Sequence, residues 1–228
     1  MVIGNGLIAK VFTCYCDNND VIIFASGVSN SLETDQTSFN REFELLKKTI
    51  DAYPSSKLVY FSTISIEDPA VNESPYVLHK LRLENFIKYN LSYYLICRVS
   101  NVVGFSNNKH TIMNFLVNAI KKDIKIDIWS QAERNLIDKD DLKYIVGKLL
   151  EDGFGNNIIT IATGESVLVT SILSQIELYF QKKAIVNLIP KGNRLNLDIS
   201  TIASQLKEIE FTKGKGEAYI NNLLKKYY

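Results

Sequence analysis

The stretch Val2-Ile3-Gly4-Asn5-Gly6-Leu7-Ile8-Ala9 is the part of the chain on which the predicted fold depends. A short apolar strand leads into the pattern Gly-x-Gly-x-x-Ala, which opens a helix, and this is the context of a dinucleotide-binding fingerprint. Gly4 permits a tight turn, Gly6 lets a diphosphate approach the backbone, and the small Ala9 lets helix and strand pack closely. The same pattern is compatible with an ordinary glycine-containing turn.

A second motif, Tyr76-Val77-Leu78-His79-Lys80, pairs a phenol with an ammonium group. Residues four apart on a helix share one face, so the Lys80 charge favours the ionised phenol and makes Tyr76 a candidate proton donor near neutral pH. Thr63 stands 13 residues earlier, at the end of an apolar run that predicts a buried strand. Its hydroxyl can polarise a carbonyl group. Because Tyr and Lys are common, this spacing also occurs on ordinary solvated helix faces.

Further segments place these motifs in a recognisable order. They are the glycine turn, Asp20-Val21-Ile22-Ile23-Phe24-Ala25-Ser26-Gly27, Ser62-Thr63 with Tyr76 and Lys80, Arg98-Val99-Ser100-Asn101-Val102-Val103-Gly104, Arg134-Asn135-Leu136-Ile137-Asp138-Lys139-Asp140-Asp141-Leu142, and Asn196-Leu197-Asp198-Ile199-Ser200. Each segment is weak alone, and their common order makes the pattern specific. With them the chain resembles the extended short-chain dehydrogenase/reductases that act on nucleotide sugars, the NAD-dependent epimerase/dehydratase family.

The resemblance implies a set of site residues. The catalytic residues that it implies are Thr63, Tyr76 and Lys80. The cofactor-binding residues are Gly4, Asn5, Gly6, Leu7, Ile8, Ala25, Ser26, Gly27, Tyr76, Lys80 and Val99. The substrate-binding residues are Ser65, Asn101, Thr111 and Arg134, with Arg134 on the sugar diphosphate. Arg98 is interpreted as half of a structural ion pair.

The resemblance also implies the fold class, an α/β fold with a Rossmann-like parallel sheet and helices on both faces. Alternation of strands with amphipathic helices favours the same sheet. We expect a single NAD(P)-binding domain over residues 1–228, with a small C-terminal substrate lobe built mainly from about 105–135 and 160–228. We expect the fold to be shortened between residues 10 and 20, where the family has two more strands with their helices.

The shortened region affects the prediction of which cofactor is bound. In the family, the first of the two strands ends in an acidic residue, about 20 residues beyond the glycines, that binds the adenosine ribose. Asp17 and Asp20 are the candidates here and are better interpreted as polar turn residues. The sequence therefore predicts NAD or NADP without choosing between them.

The amino-acid composition limits the classes of binding partner that we expect. With 26 Lys and Arg against 25 Asp and Glu, no overall field favours nucleic acid or an anionic membrane. No apolar run approaches the about 20 residues of a membrane span, and a signal peptide pattern is lacking, so we expect a cytoplasmic protein. Cys14, Cys16 and Cys97 are expected to be reduced, and no metal site is predicted.

Two local expectations concern polar residues on helices. His79 is expected to be an exposed helix residue, and Asp140 with Asp141 is expected to provide the N-cap of the following helix.

The predicted function is an NAD(P)-dependent oxidoreductase or epimerase of a nucleotide-activated sugar, in surface polysaccharide biosynthesis. The predicted partners are the nucleotide sugar and either a second copy, through the Tyr76 helix, or a related protein. The alternative is a binding or scaffold protein that keeps the fold without turnover, because the cofactor half is abridged.

Overall fold

The computed structural model describes all 228 residues. Its strands are β1 (Val2–Ile3), β2 (Val21–Phe24), β3 (Lys57–Thr63), β4 (Tyr94–Val99), β5 (Asn101–Val103), β6 (Ile126–Trp129), β7 (Glu133–Arg134), β8 (Leu136–Asp138), β9 (Asn157–Ile161), β10 (Val167–Leu168) and β11 (Val186–Ile189). Its α-helices are α1 (Leu7–Val11), α2 (Gln36–Ala52), α3 (Pro75–Asn90), α4 (Ile112–Lys121), α5 (Lys139–Glu151), α6 (Val169–Phe180), α7 (Ala203–Lys213) and α8 (Glu217–Tyr227).

The chain forms two compact units. The first comprises Met1–Val99 with Leu142–Ile161, and the second comprises Ser100–Asp141 with Ala162–Tyr228. None of the helices combines the length and the apolar character that a membrane span requires.

The first unit contains a five-stranded parallel sheet in the order β1-β2-β3-β4-β9. Every residue of β3 is buried, as expected for a central strand of a parallel sheet, whose two faces are both covered. Residues from β2, β3 and β4 and from α2 and α3 share one core, which includes Phe24, Leu46, Tyr60, Leu83 and Ile96. The predicted Rossmann-like sheet is confirmed.

The shortened region lies at one edge of this sheet. β1 pairs directly with β2, with Val2 opposite Ile23, so β1 is the outermost strand. The connection between them consists of the five-residue α1 and a 3-10 turn at Thr13–Tyr15. The predicted loss of strands after the first helix is confirmed.

The helix that carries the Tyr76 motif begins where the sequence favours it. Ser74 is the N-cap of α3, and its hydroxyl accepts a hydrogen bond from the Val77 N–H at 3.4 Å. Pro75 occupies the first helical turn, where its missing N–H costs nothing. Tyr76 therefore lies in the first turn of α3, at the N-terminal end of the helix.

The second unit is built from short strand pairs and helices. β5 pairs with β8, β6 with β11, and β7 with β10. Its buried apolar side chains come mainly from α4, β6, α6 and α8, among them Leu116, Ile128, Ile172 and Leu224.

Candidate functional site

Residues predicted to bind the cofactor lie at the carboxyl-terminal ends of the strands in the five-stranded sheet. Gly4 follows β1, Ala25 follows β2, Thr63 ends β3, and Val99 ends β4 beside Thr63. These four strands are neighbours and run parallel, so their ends lie side by side. In open α/β sheets, ligands bind outside this edge.

The Gly4 turn is held tightly against the end of β2. Gly4 has φ +125°, and a Cβ added there would lie 2.4 Å from the carbonyl oxygen of Ala25. Ala25 N–H donates to the Ile3 carbonyl at 2.8 Å. Only glycine fits here, because both the conformation and the close approach exclude a side chain.

Space remains beside the first turn of α1. Gly6 is the N-cap of α1 and makes no side-chain capping hydrogen bond, and no heavy atom outside Gly6 and its chain neighbours lies within 4 Å of the position that its Cβ would occupy. Asn5 and Gly6 are exposed, and Leu7 and Ile8, the first helical residues, are half-buried. The sequence pattern predicts the diphosphate of a dinucleotide at this turn, and the missing side chain of Gly6 leaves space beside it.

Tyr76 and Lys80 share the inward face of α3, as their spacing predicts. Tyr76 is 8% exposed and packs with Val28 and Phe39. Lys80 is 2% exposed, and its ammonium nitrogen lies 5.8 Å from the centroid of the Tyr76 ring. A Cβ on Gly27 would lie 2.7 Å from that nitrogen, so the end of β2 and Lys80 are also in close approach.

The Lys80 ammonium is paired inside the unit. It donates to Glu42 Oε1 at 2.8 Å and to Tyr60 Oη at 3.2 Å. Burial alone would raise the pKa of Glu42, but the Lys80 charge and hydrogen bonds from His79, Lys80 and Val28 outweigh it and lower the pKa to about 2. Glu42 is therefore a carboxylate at neutral pH. Burial, and next the Glu42 charge, raise the pKa of Tyr60.

The prediction of an exposed His79 is wrong. His79 is 5% exposed, its Nε2 lies 3.1 Å from Glu42 Oε2, and its ring stacks on Phe39 with centroids 4.5 Å apart. Position 79 is three residues after Tyr76, so both side chains point to the same inward face.

The hydroxyl groups near the end of β3 fall into two sets of hydrogen bonds. Thr63 Oγ1 accepts from the Ser65 N–H and donates to Ser65 Oγ, both at 3.1 Å, so these two candidate residues lie together. Ser62 Oγ instead donates to Glu84 Oε1 at 2.6 Å. Arg98 forms two hydrogen bonds with the same carboxylate, through Nε at 3.1 Å and Nη2 at 2.8 Å. Arg98 is thus part of a structural ion pair.

The second unit holds the other predicted substrate residues. Asn101 lies on β5, and its side-chain amide donates to the Asn135 carbonyl at 2.9 Å. Arg134 lies on β7, is half-buried, and donates through Nη1 to the Glu133 carbonyl at 2.7 Å. The adjoining strand pairs β5–β8 and β7–β10 therefore bring Asn101 near the Arg134 segment. Thr111 is the N-cap of α4, and its hydroxyl donates to the Asn108 carbonyl at 3.3 Å.

The acidic segment after Arg134 is tied to the end of the chain. Asp138, not Asp140 or Asp141, supplies the cap of α5, because its Oδ1 accepts from the Asp140 N–H at 2.9 Å. Tyr219 Oη donates to Asp141 Oδ2 at 2.6 Å and accepts from the Asp138 N–H at 2.8 Å. Lys226 donates to Asp138 Oδ2 at 2.6 Å. The expected N-cap was therefore misplaced, since the two later aspartates already belong to the helix.

Glu42 is the residue of this region that the motifs did not reveal. A detectable signal was present, because Glu42 has helical spacing with Phe39, Leu46 and Ile50, and all of these are buried positions of α2. A carboxylate on the apolar face of a helix requires a buried partner. Neither unit contains a group of three or more His, Cys, Asp or Glu residues arranged to hold a metal ion.

Comparison with known proteins used both the sequence and the structure. No protein-family model and no curated protein sequence matches the chain. Solved structures do match over nearly its whole length. dTDP-glucose 4,6-dehydratase from Bacillus anthracis, in complex with NAD, aligns with a TM-score of 0.71 and 15% identity over 98% of this chain and 79% of that chain. This chain therefore shares the fold of that dehydratase.

Two more solved structures share their fold with this chain. UDP-glucuronic acid 4-epimerase from Bacillus cereus, with NAD and a fluorinated UDP-glucuronic acid, has a TM-score of 0.71, 17% identity and 99% and 82% coverage of the two chains. RMD from Pseudomonas aeruginosa, complexed with NADPH, has a TM-score of 0.68, 12% identity and 98% and 87% coverage. The fold expected from the ordered motifs is confirmed.

Proposed function

We propose that the protein is an NAD(P)-dependent oxidoreductase or epimerase that acts on a nucleotide-activated sugar. The observation that supports this most directly is the joint position of Tyr76 and Lys80 on the inward face of α3, with Lys80 against Gly27 at the sheet edge. Solved proteins of the same fold were crystallised with NAD, NADPH or a UDP-sugar analogue.

The cofactor side of the site consists of backbone and small residues. The Gly4 turn and the open space beside Gly6 fit a diphosphate, and Ala25, Ser26 and Gly27 line the neighbouring strand end. When bound, NAD(P) supplies the hydride acceptor or donor. Lys80 orients the nicotinamide ribose, and Val99, the last residue of β4, contacts the cofactor.

The proton is handled by hydroxyl groups of the chain. Tyr76 exchanges a proton with the oxygen of the sugar carbon that gains or loses hydride. Thr63 donates a hydrogen bond to the charge that develops on this oxygen, and Ser65, which is hydrogen-bonded to Thr63, is a second hydroxyl contact.

Substrate recognition is assigned to the second unit. Arg134 is the phosphate-binding candidate, because a guanidinium group binds a diphosphate with two parallel hydrogen bonds. Asn101 and Thr111 provide polar contacts to the sugar. We further propose that the protein works in surface polysaccharide biosynthesis in the cytoplasm and forms a homodimer through α3.

Turnover of a panel of UDP- and dTDP-activated hexoses tests the proposal, with NAD, NADH, NADP and NADPH each supplied and products identified by NMR. Tyr76→Phe should reduce kcat by at least about a hundredfold, since a positioned proton donor contributes about 10²- to 10⁴-fold. Tyr89→Phe is the matched control, because Tyr89 lies on the same helix and is 88% exposed. Equal activity of the Tyr76→Phe variant and the wild type would remove Tyr76 from this role.

The phosphate assignment has its own test. Arg134→Ala should weaken binding of UDP or dTDP at least about tenfold, and Arg134→Lys should restore only part of it, because lysine keeps the charge and loses the paired geometry. Unchanged affinity in both variants would contradict the assignment.

A second candidate function, a binding protein without turnover, is favoured by one observation. The sheet ends at β1, so no further strand end is available to hold an adenosine ribose. This candidate predicts no turnover with any sugar nucleotide and unchanged folding of the Tyr76→Phe variant.

A further inference from the structure

A buried polar cluster lies beneath the segment that follows β2. It consists of Glu42 from α2, Tyr60 from β3, and His79 and Lys80 from α3, and we call it the Glu42 cluster. All four residues are at most 5% exposed. The cluster therefore joins two helices and the central strand without access to bulk water.

Glu42 is the hub of the cluster. Its Oε2 accepts from the Val28 N–H at 2.7 Å and lies 3.1 Å from His79 Nε2. Its Oε1 accepts from Tyr60 Oη at 2.9 Å and from Lys80 Nζ at 2.8 Å. A buried carboxylate with this many partners is fully compensated for its lost hydration, and the same partners fix its position.

Glu42 also determines the position of the Lys80 ammonium group. A Cβ on Gly27 would lie 2.7 Å from Lys80 Nζ and 2.9 Å from Glu42 Oε1, so both groups lie close beside Gly27. A lysine side chain has four rotatable bonds and would otherwise sample many positions. Glu42 restricts it to one position, next to the segment assigned to the cofactor.

We propose that Glu42 is a positioning residue that holds the Lys80 ammonium against the Gly27 segment and so prepares Lys80 for the nicotinamide ribose. This inference rests on the proposed function. Glu42 itself is assigned no contact with cofactor or substrate, because it is 0% exposed and both of its carboxylate oxygens already accept hydrogen bonds within the cluster. Its whole effect on binding passes through Lys80.

A double-mutant cycle tests this inference. NADH and NADPH are titrated by fluorescence against the wild type, Glu42→Gln, Lys80→Met and the double variant, with folding checked by circular dichroism. Glu42→Gln should raise the Kd at least about tenfold, because glutamine keeps the shape and loses the charge that holds the ammonium. In the Lys80→Met background, the same substitution should change the Kd less than about twofold. Glu44→Gln is the control, because Glu44 is on the exposed side of the same helix.

Each result has a distinct meaning. An unchanged Kd for Glu42→Gln overturns the inference, and so does an equal loss in both backgrounds, which would show a purely structural role. If Glu42→Gln does not fold, Tyr60→Phe decides: it removes the hydrogen bond that Tyr60 donates to Glu42 and the one that it accepts from Lys80, and should raise the Kd about threefold or more. An unchanged Kd there also overturns the inference. Failure of the wild type to bind either nucleotide overturns the proposed function as well.

Discussion

The ion pair between Arg98 and Glu84 allows a quantitative prediction for the first unit. Glu84 is 1% exposed and lies on α3, the helix of Tyr76 and Lys80, while Arg98 lies on β4. Besides its two hydrogen bonds to Glu84, Arg98 donates to the half-exposed Glu67 through Nη1 at 2.6 Å. The hydrogen bonds that Arg98 donates to Glu84, and then the Glu84 charge, raise the pKa of Arg98 above its ordinary value. The pair therefore fixes α3 to the sheet.

Arg98→Met should destabilise the protein by about 3 kcal/mol at pH 7. Without Arg98, the buried Glu84 carboxylate keeps the Ser62 hydroxyl as its hydrogen-bond donor. One neutral donor does not compensate a buried negative charge that has lost its paired cation, so the cost should be large.

Urea unfolding and thermal unfolding at pH 7, both followed by far-ultraviolet circular dichroism, measure this difference. At neutral pH we expect a melting temperature lower by about 6–12 °C for a chain of this length. The double variant Arg98→Met with Glu84→Gln should recover to within about 1 kcal/mol of the wild type, since no unpaired charge remains. Arg41→Met, on an exposed position of α2, serves as control. A deficit below about 0.5 kcal/mol would refute this reasoning.

Three further predictions concern the sheet edge, the second unit and the core. Gly4→Ala should destabilise the fold by about 2 kcal/mol or more, because the added methyl would overlap the Ala25 carbonyl. Urea unfolding measures this loss, and an unchanged free energy of unfolding would contradict the prediction. Tyr219→Phe should cost about 1–3 kcal/mol, because Asp141 loses a donor in a buried place, and thermal unfolding measures it against Tyr179→Phe, at a 40% exposed position. Burial raises the pKa of the Cys97 thiol, so two of the three cysteines should react with a thiol reagent in the native protein and the third only after unfolding. Three fast-reacting thiols would contradict the buried position of Cys97.

Much of the first unit was predictable because local signals agreed with the tertiary fold. The apolar run ending at Thr63 has no polar face, which favours a central parallel strand, and β3 is buried throughout. The Gly4 turn was predictable because only glycine accepts a positive φ so close to another backbone. The Tyr76–Lys80 face followed from the helix period alone.

The polar interior was not predictable from the motifs, because its partners are distant in sequence. His79 is next to Lys80 in sequence, yet its environment depends on Glu42, 37 residues earlier. Asp138 is buried by Tyr227 and Lys226, which lie 89 and 88 residues later. A helical polar residue resembles a solvated one until these distant groups are placed around it.

The most direct test of the central claim is a fluorescence titration of the purified protein with NADH and with NADPH, after any carried-over nucleotide has been removed. ATP, which lacks nicotinamide, controls for unspecific nucleotide binding. The account predicts saturable binding of at least one of the two dinucleotides at micromolar concentration, weakened in Lys80→Met. No binding of either dinucleotide at millimolar concentration would contradict the account and leave a binding protein of the same fold as the better explanation.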